Sequence, residues 1–275
     1  MKGIQAMTIK LLSILLLCLT HSALAESVNF APPFQIYQKD PQLGELLPSN
    51  GNSSLCWPSS LAHRMFYFQK YYNHPLSNLN LRTKSQSLDI KSAVQTFVNA
   101  CHTDIDHGTK QSEKVACITD YFEQHGYHPK VFSIGKASRG VSASSGSHNE
   151  YRQIQISDLR KYISQNYGVI LHVGWMKYDS RKHTWVESGS HSLNAYGYDY
   201  DPSWGEDKIV LKVVNPLIDY SKRDTSEYYD SVTVSALERK PGEIYPEMVG
   251  YSIRGPGFNR TDKQPMLEDL FLFSP

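Results

Sequence analysis

The stretch Asn50–Ser60, NGNSSLCWPSS, decides how the rest of the chain is read. It sets one cysteine, Cys56, among small polar residues, with Trp57 and Pro58 directly behind it. The text after it turns helical: Leu61, Met65, Phe68 and Tyr72 recur at i, i+4, i+7 and i+11, one face of a helix. Proline has no N–H and is tolerated only in a helix's first turn. Pro58 therefore makes the helix begin at or just before Cys56. A thiol there sits in the partial positive charge of a helix N-terminus, which favours the thiolate. The plainer reading of Cys56 is an inert buried thiol, since free cysteine is among the most buried residue types.

The other cysteines bear on that choice. The chain has four: Cys18, Cys56, Cys101 and Cys117. Lys2 and Lys10 precede the short apolar run LLSILLLCLT, and Ala23-Leu24-Ala25 follows it. This is the pattern of a secretory signal peptide over residues 1–25. The run is too short for a comfortable span, which needs roughly 20 residues, and no second run approaches that length. The expectation is an exported protein, secreted or periplasmic, with no membrane in its mature form. Cys18 leaves with the leader, and three cysteines enter a compartment where thiols meet oxidants. Cys101 and Cys117 lie in one local stretch, between two expected helices, and are expected to pair. Cys56 is then the thiol left over.

Bulk properties exclude several partners. The 275 residues are 40% hydrophobic, enough for one large domain or two small lobes with a core. The formal charge is +1, and loss of Lys2 and Lys10 leaves 26 basic against 27 acidic residues, a net −1. Neither value favours nucleic acid or an anionic membrane.

Residues 26–49 are broken by prolines and read as an extended N-terminal segment. Further helices are expected over 88–100, 112–126 and 155–168, with a short strand at 128–134. Residues 135–150 are rich in Ser and Gly and read as a loop between lobes. Beyond Gly168 the text is strand-like: VILHVGWMKY, HTWVES, HSLNAYGYDYD, KIVLKVVNP and DSVTVSALERK. Residues 254–275 read as a surface tail. Helices first and strands second suggest an α+β chain of two lobes.

A nucleophilic thiol needs a base. His102 and His107 lie in the expected disulfide loop, and His125, His128 and His148 at helix ends or in the Ser-rich segment. His63 lies on the Cys56 helix itself, His172 inside an apolar strand, and His183 among exposed residues. His191 opens the strand HSLNAYGYDYD after Ser188-Gly189-Ser190, where a ring can be held rigid beside a cleft. An imidazole also needs an orienting partner. Asn215 ends KIVLKVVNP and is the candidate, though it also reads as a turn residue before Pro216. A zinc site from Cys101, His102 and His107 fits no common four-ligand spacing.

Taken together, Cys56-Trp57 at a helix start, His191 well downstream and Asn215 at a strand end resemble the papain-like cysteine peptidases. The step from Cys56 to His191 falls inside the roughly 130–150 residues expected between nucleophile and His/Asn in that family. Gly197-Tyr198 stands where that family commonly has Gly-Tyr after its histidine. The resemblance covers Asn50 to about Pro216. It implies a papain-like two-lobed α+β fold over 50–275, with a helical N-terminal lobe at about 50–150 carrying the nucleophile helix. An antiparallel β-rich lobe follows at about 151–275. It implies a Cys56–His191–Asn215 triad, an oxyanion site from the Cys56 N–H and Asn50, a protein or peptide substrate, a monomer, and no metal or organic cofactor. Asn50 stands where the family has Gln, one methylene shorter, and Asn52 is a rival donor. The family's Ser-Trp after its Asn is here Pro216-Leu217, and its cysteine at i−3 from the nucleophile is Ser53. The segment between Ala25 and Cys56 is too short for the family's helical inhibitory propeptide. A deamidase or acyl transferase on the same triad, and an inactive binding protein, are the alternatives. Asn52-Ser53-Ser54 and Asn259-Arg260-Thr261 are glycosylation sequons.

Overall fold

The structure is a computed structural model that describes residues 25–30, 32, 35–48, 54–72, 89–136, 147–223 and 228–274. Apart from Ala25, the expected leader lies outside these residues. Among them, no helix is long and apolar enough to cross a membrane.

Helix α1 spans Cys56–Tyr72, α2 Ile90–Ala100, α3 Gln111–Gln124 and α4 Ile156–Ser164. Nine strands lie in one sheet: β1 Glu26–Asn29, β2 Lys130–Gly135, β3 Ser147–Glu150, β4 Gly168–Asp179, β5 Thr184–Tyr200, β6 Lys208–Val214, β7 Asp230–Ala236, β8 Tyr251–Arg254 and β9 Gln264–Ser274. The strands β4 to β9 pair antiparallel around a closed circuit, because β4 bonds to both β5 and β9. Closure pairs β4, β6 and β9 on both edges over most of their length, whereas the first half of β5, Thr184–Leu193, pairs among the strands with β4 alone. β2 adds to β9 and β3 adds parallel to β2, while β1 adds to β5.

This corrects the two-lobed expectation. The helices do not form an N-terminal lobe facing a separate β lobe. They pack on one mixed sheet, to which the early strands β1, β2 and β3 also belong. Residues 264–274, expected in a surface tail, form the buried strand between β4 and β2. Part of the Ser-rich segment is β3. TWVES and HSLNAYGYDY fall in one strand of 17 residues, so His191 sits within β5 and does not open it.

Side-chain alternation divides the core in two. Val169, Leu171 and Val173 of β4 join Ile209, Leu211 and Val213 of β6, Val232 and Val234 of β7, and Leu270 and Leu272 of β9 in the ring's interior. Ile170, Tyr196, Phe271 and Phe273 face the other way, against α1, α2 and α3. Gly197 is required by β1, since a Cβ there would meet the Val28 carbonyl oxygen at 2.3 Å.

α1 is covered on all sides, not only on its apolar stripe: every residue from Trp57 to Phe68 is buried. Its polar residues therefore need partners. Ser60 Oγ donates to the Ser192 carbonyl at 3.1 Å, and Asn194 Nδ2 donates to the Ser60 carbonyl at 2.8 Å. His63 Nδ1 bonds Tyr196 Oη at 2.7 Å. Arg64 donates to the Tyr167 carbonyl and lies over the Tyr196 ring at 4.3 Å. These bonds fix α1 against β5, and with it the position of Cys56.

Cys101 and Cys117 are bonded, tying the end of α2 to α3. A loop of this length contributes about 3 kcal/mol by restricting the unfolded chain. The Cys101→Ser/Cys117→Ser double variant is expected to lose about that much in urea unfolding. An unchanged urea midpoint would contradict it.

Candidate active site

Cys56 is the first residue of α1. Ser59 N–H is bonded to the Leu55 carbonyl at 2.9 Å, which makes Leu55 the cap. The N–H groups of Cys56 and Trp57 then have no carbonyl within the helix, and Pro58 has no N–H to offer. Cys56 is the one free cysteine among the described residues, and it is half-buried.

The three residues expected to act together are brought together. His191 Nε2 lies 2.8 Å from Asn215 Oδ1. Leu217 N–H also donates to that oxygen, at 3.0 Å, which fixes the amide's orientation. Oδ1 can only accept, so Nε2 carries the proton. Nδ1 is left for the sulfur. The Cys56 thiol takes a hydrogen bond from His191 and another from the Ser192 N–H. Burial pushes this thiol up. The His191 hydrogen bond, the His191 and Lys114 charges and the Ser192 N–H outweigh it and bring the pKa down to about 7.

Asn215 is both a turn residue and the hydrogen-bond partner of His191. Asn215-Pro216-Leu217-Ile218 closes with Ile218 N–H on the Asn215 carbonyl at 3.0 Å, with proline at the second position. The Leu217 bond is the side-chain turn typical of Asn. Behind it, Asn215 N–H donates to Tyr220 Oη at 3.3 Å, and Tyr220 donates to Asp230 at 2.8 Å. Arg223 holds Asp230 at 2.7 and 3.1 Å. The N-terminal segment braces the same turn: Gln35 donates to the Ile218 carbonyl and accepts from Tyr220 N–H at 2.9 Å. Gln38 N–H donates to the Pro216 carbonyl at 2.9 Å. The wall beside the His191–Asn215 bond is Phe258, whose ring lies 6.3 Å from His191 and stacks on Trp175 at 5.5 Å. The sequence reading had no residue for that shield.

Asn50 and the rival Asn52 lie outside the described residues. The Cys56 N–H, the other expected oxyanion donor, is at the open first turn of α1.

The sequence reading missed Lys114. It lies on α3 and is buried at 3% exposure. Its ammonium bonds Gln111 Oε1 at 2.9 Å and His172 Nδ1 at 3.0 Å, over the Trp57 ring at 5.3 Å. A lysine on an amphipathic helix gives no sign in sequence that it faces inward. His172 is the buried core histidine that its strand position suggested. Burial, then the Lys114 charge, depress its pKa well below the usual value, so the ring is neutral.

His172, Glu187 and Glu268 are the trio of metal-ligand type found among the described residues, their nearest ligand atoms within 4.8 Å. Lys136 already bridges the two carboxylates, at 3.2 and 3.1 Å, and supplies the balancing charge. Cys101 of the weighed zinc group is spent in the disulfide. An open cleft of about 770 Å³ lies between β8 and residues 258–265; Cys56, His191 and Asn215 do not line it, and Phe258, beside His191, does.

No protein-family model and no curated protein matches the chain.

Proposed function

We propose that this chain is an exported cysteine peptidase in which Cys56, His191 and Asn215 act as one unit. The observation that carries the reading is the His191 ring held between two partners, Asn215 Oδ1 at 2.8 Å on one side and the Cys56 thiol on the other. The reading rests on this geometry and not on a two-lobed layout. The Cys101–Cys117 bridge, which suits an oxidising compartment, supports export.

The chemistry follows from the positions. The Cys56 thiolate attacks the scissile carbonyl carbon, and the C=O electrons move onto oxygen, toward the Cys56 N–H. His191 gives the Nδ1 proton to the departing amine, and the C–N bond breaks to leave an acyl-thioester. His191 then takes a proton from water, the resulting hydroxide attacks the thioester, and the thiolate departs. Asn215 keeps the Nε2 proton in place and the ring facing sulfur throughout.

The test is covalent labelling together with product analysis. The wild-type protein is expected to take up one thiol-directed epoxide at Cys56 and to generate new peptide N-termini. Cys56→Ala abolishes both. No labelling above the variant would overturn the reading. Ammonia release or amine incorporation without new N-termini would point instead to deamidation or acyl transfer.

A further inference from the structure

We infer that Lys114 is the second cation of this site, a positioning residue that holds Cys56 as the thiolate when His191 carries no charge. The inference rests on the reading of Cys56 as a nucleophile.

Lysine is almost never fully buried unless its charge is met, because leaving water is costly. Lys114 is 3% exposed, and its two hydrogen-bond partners, Gln111 and the neutral His172, are uncharged. The Trp57 and Phe271 rings lie 5.3 and 5.6 Å from the ammonium. Among the described residues it forms no ion pair with a carboxylate. The anions facing it are Cys56 from α1, Glu187 from β5, and Glu268 and Asp269 from β9. Each carboxylate has another partner. Lys136 holds Glu187 and Glu268, and Gln111 Nε2 donates to Asp269. Of these anions the Cys56 thiolate and Asp269 have no lysine of their own, and Asp269 is already met by Gln111.

The connection to sulfur is continuous. Lys114 donates to His172 Nδ1, Ser192 Oγ lies 3.4 Å from that same nitrogen, and the Ser192 N–H donates to Cys56. The protonation states agree with this layout. Burial brings Lys114 down to about 8, against the Cys56 thiolate and the carboxylates, which pull it up. Cys56 stands at about 7. Between these two values the lysine is charged and the thiol ionised; as pH rises past about 8 the cation is lost and its hold on sulfur weakens.

The test is the rate of chloroacetamide alkylation of Cys56 against pH in the full disulfide-bonded chain, read by peptide mass. The wild type is expected to show a midpoint near 7. Lys114→Met is expected to raise it by about one unit and slow alkylation at pH 6.5 by about 5–10-fold, since thiolate fraction falls tenfold per unit below the pKa. Lys114→Arg keeps the charge and stays near wild type. In a His191→Gln background, removing Lys114 raises the midpoint again. An unchanged midpoint in Lys114→Met, or an equal rise in Lys114→Arg, would overturn the inference. If Lys114→Met does not fold, Lys114→Gln, neutral but still able to donate to His172, takes its place: a midpoint raised by about one unit supports the inference and an unchanged one overturns it. Alkylation needs no peptide. Loss of peptide hydrolysis with the lysine effect intact would therefore count against the peptidase reading alone.

Discussion

His191→Gln is expected to lower peptide hydrolysis by at least about 10³-fold while leaving Cys56 open to alkylation. On the proposed mechanism the two losses differ because the histidine has two duties. One is to favour the thiolate, which Lys114 and the Ser192 N–H share. The other is to deliver a proton to the leaving amine, which neither can do: Lys114 is directed at Gln111 and His172, and the Ser192 N–H is a backbone amide. An amide nitrogen leaves only when protonated. A nitrophenyl ester leaves as the phenolate and needs no acid. The variant should therefore retain much more ester than amide hydrolysis in single-turnover kinetics. Equal losses on both substrates, or an amide loss under tenfold, would show that His191 is not the acid.

Gly257→Ala is expected to cost about 10²-fold in kcat/KM, the usual consequence of misplacing a catalytic group by about 1 Å. Gly257 has φ +81°, and a Cβ there would lie 2.6 Å from Asn215 Nδ2. Asn215 is fully buried, and its Oδ1 is pinned by His191 and Leu217 N–H. The amide cannot rotate away without releasing one of those bonds. The left-handed backbone adds about 1 kcal/mol of strain for alanine, which a thermal melt reads separately. The diagnostic result is a loss of activity well beyond what the melt accounts for. Wild-type kcat/KM in a folded variant would contradict the role given to Asn215.

Parts of this site were legible because their cause is local. Pro58 fixes where α1 starts, since it cannot sit deeper in a helix. Setting Cys18 aside with the expected leader leaves an odd count and Cys56 over, and the close spacing of Cys101 and Cys117 matches their bridge. Asn215 before Pro216 marks a turn at the end of β6. Other parts have no local signature. Whether β9 lies on the surface or inside depends on what pairs with both its edges, and β2 and β4 come from 130–135 and 168–179. The stretch at 254–275 carries glycine and proline at its start, so it read as a tail. Phe258 shields His191 from a loop far along the chain, beyond β8, a contact no spacing announces.

The sequence by itself determined the candidates in outline: a thiol at a helix start, a histidine read at a strand start that the structure sets within β5, and an asparagine at a strand end. These are set by backbone rules that act over a few residues. Only the tertiary structure decided the architecture, since helices early and strands late are equally compatible with two lobes and with one sheet that takes strands from the whole chain. It also decided the electrostatics. Lys114 is an ordinary helix lysine until packing buries its ammonium over the Trp57 ring, and only then does its charge face the sulfur away from bulk water.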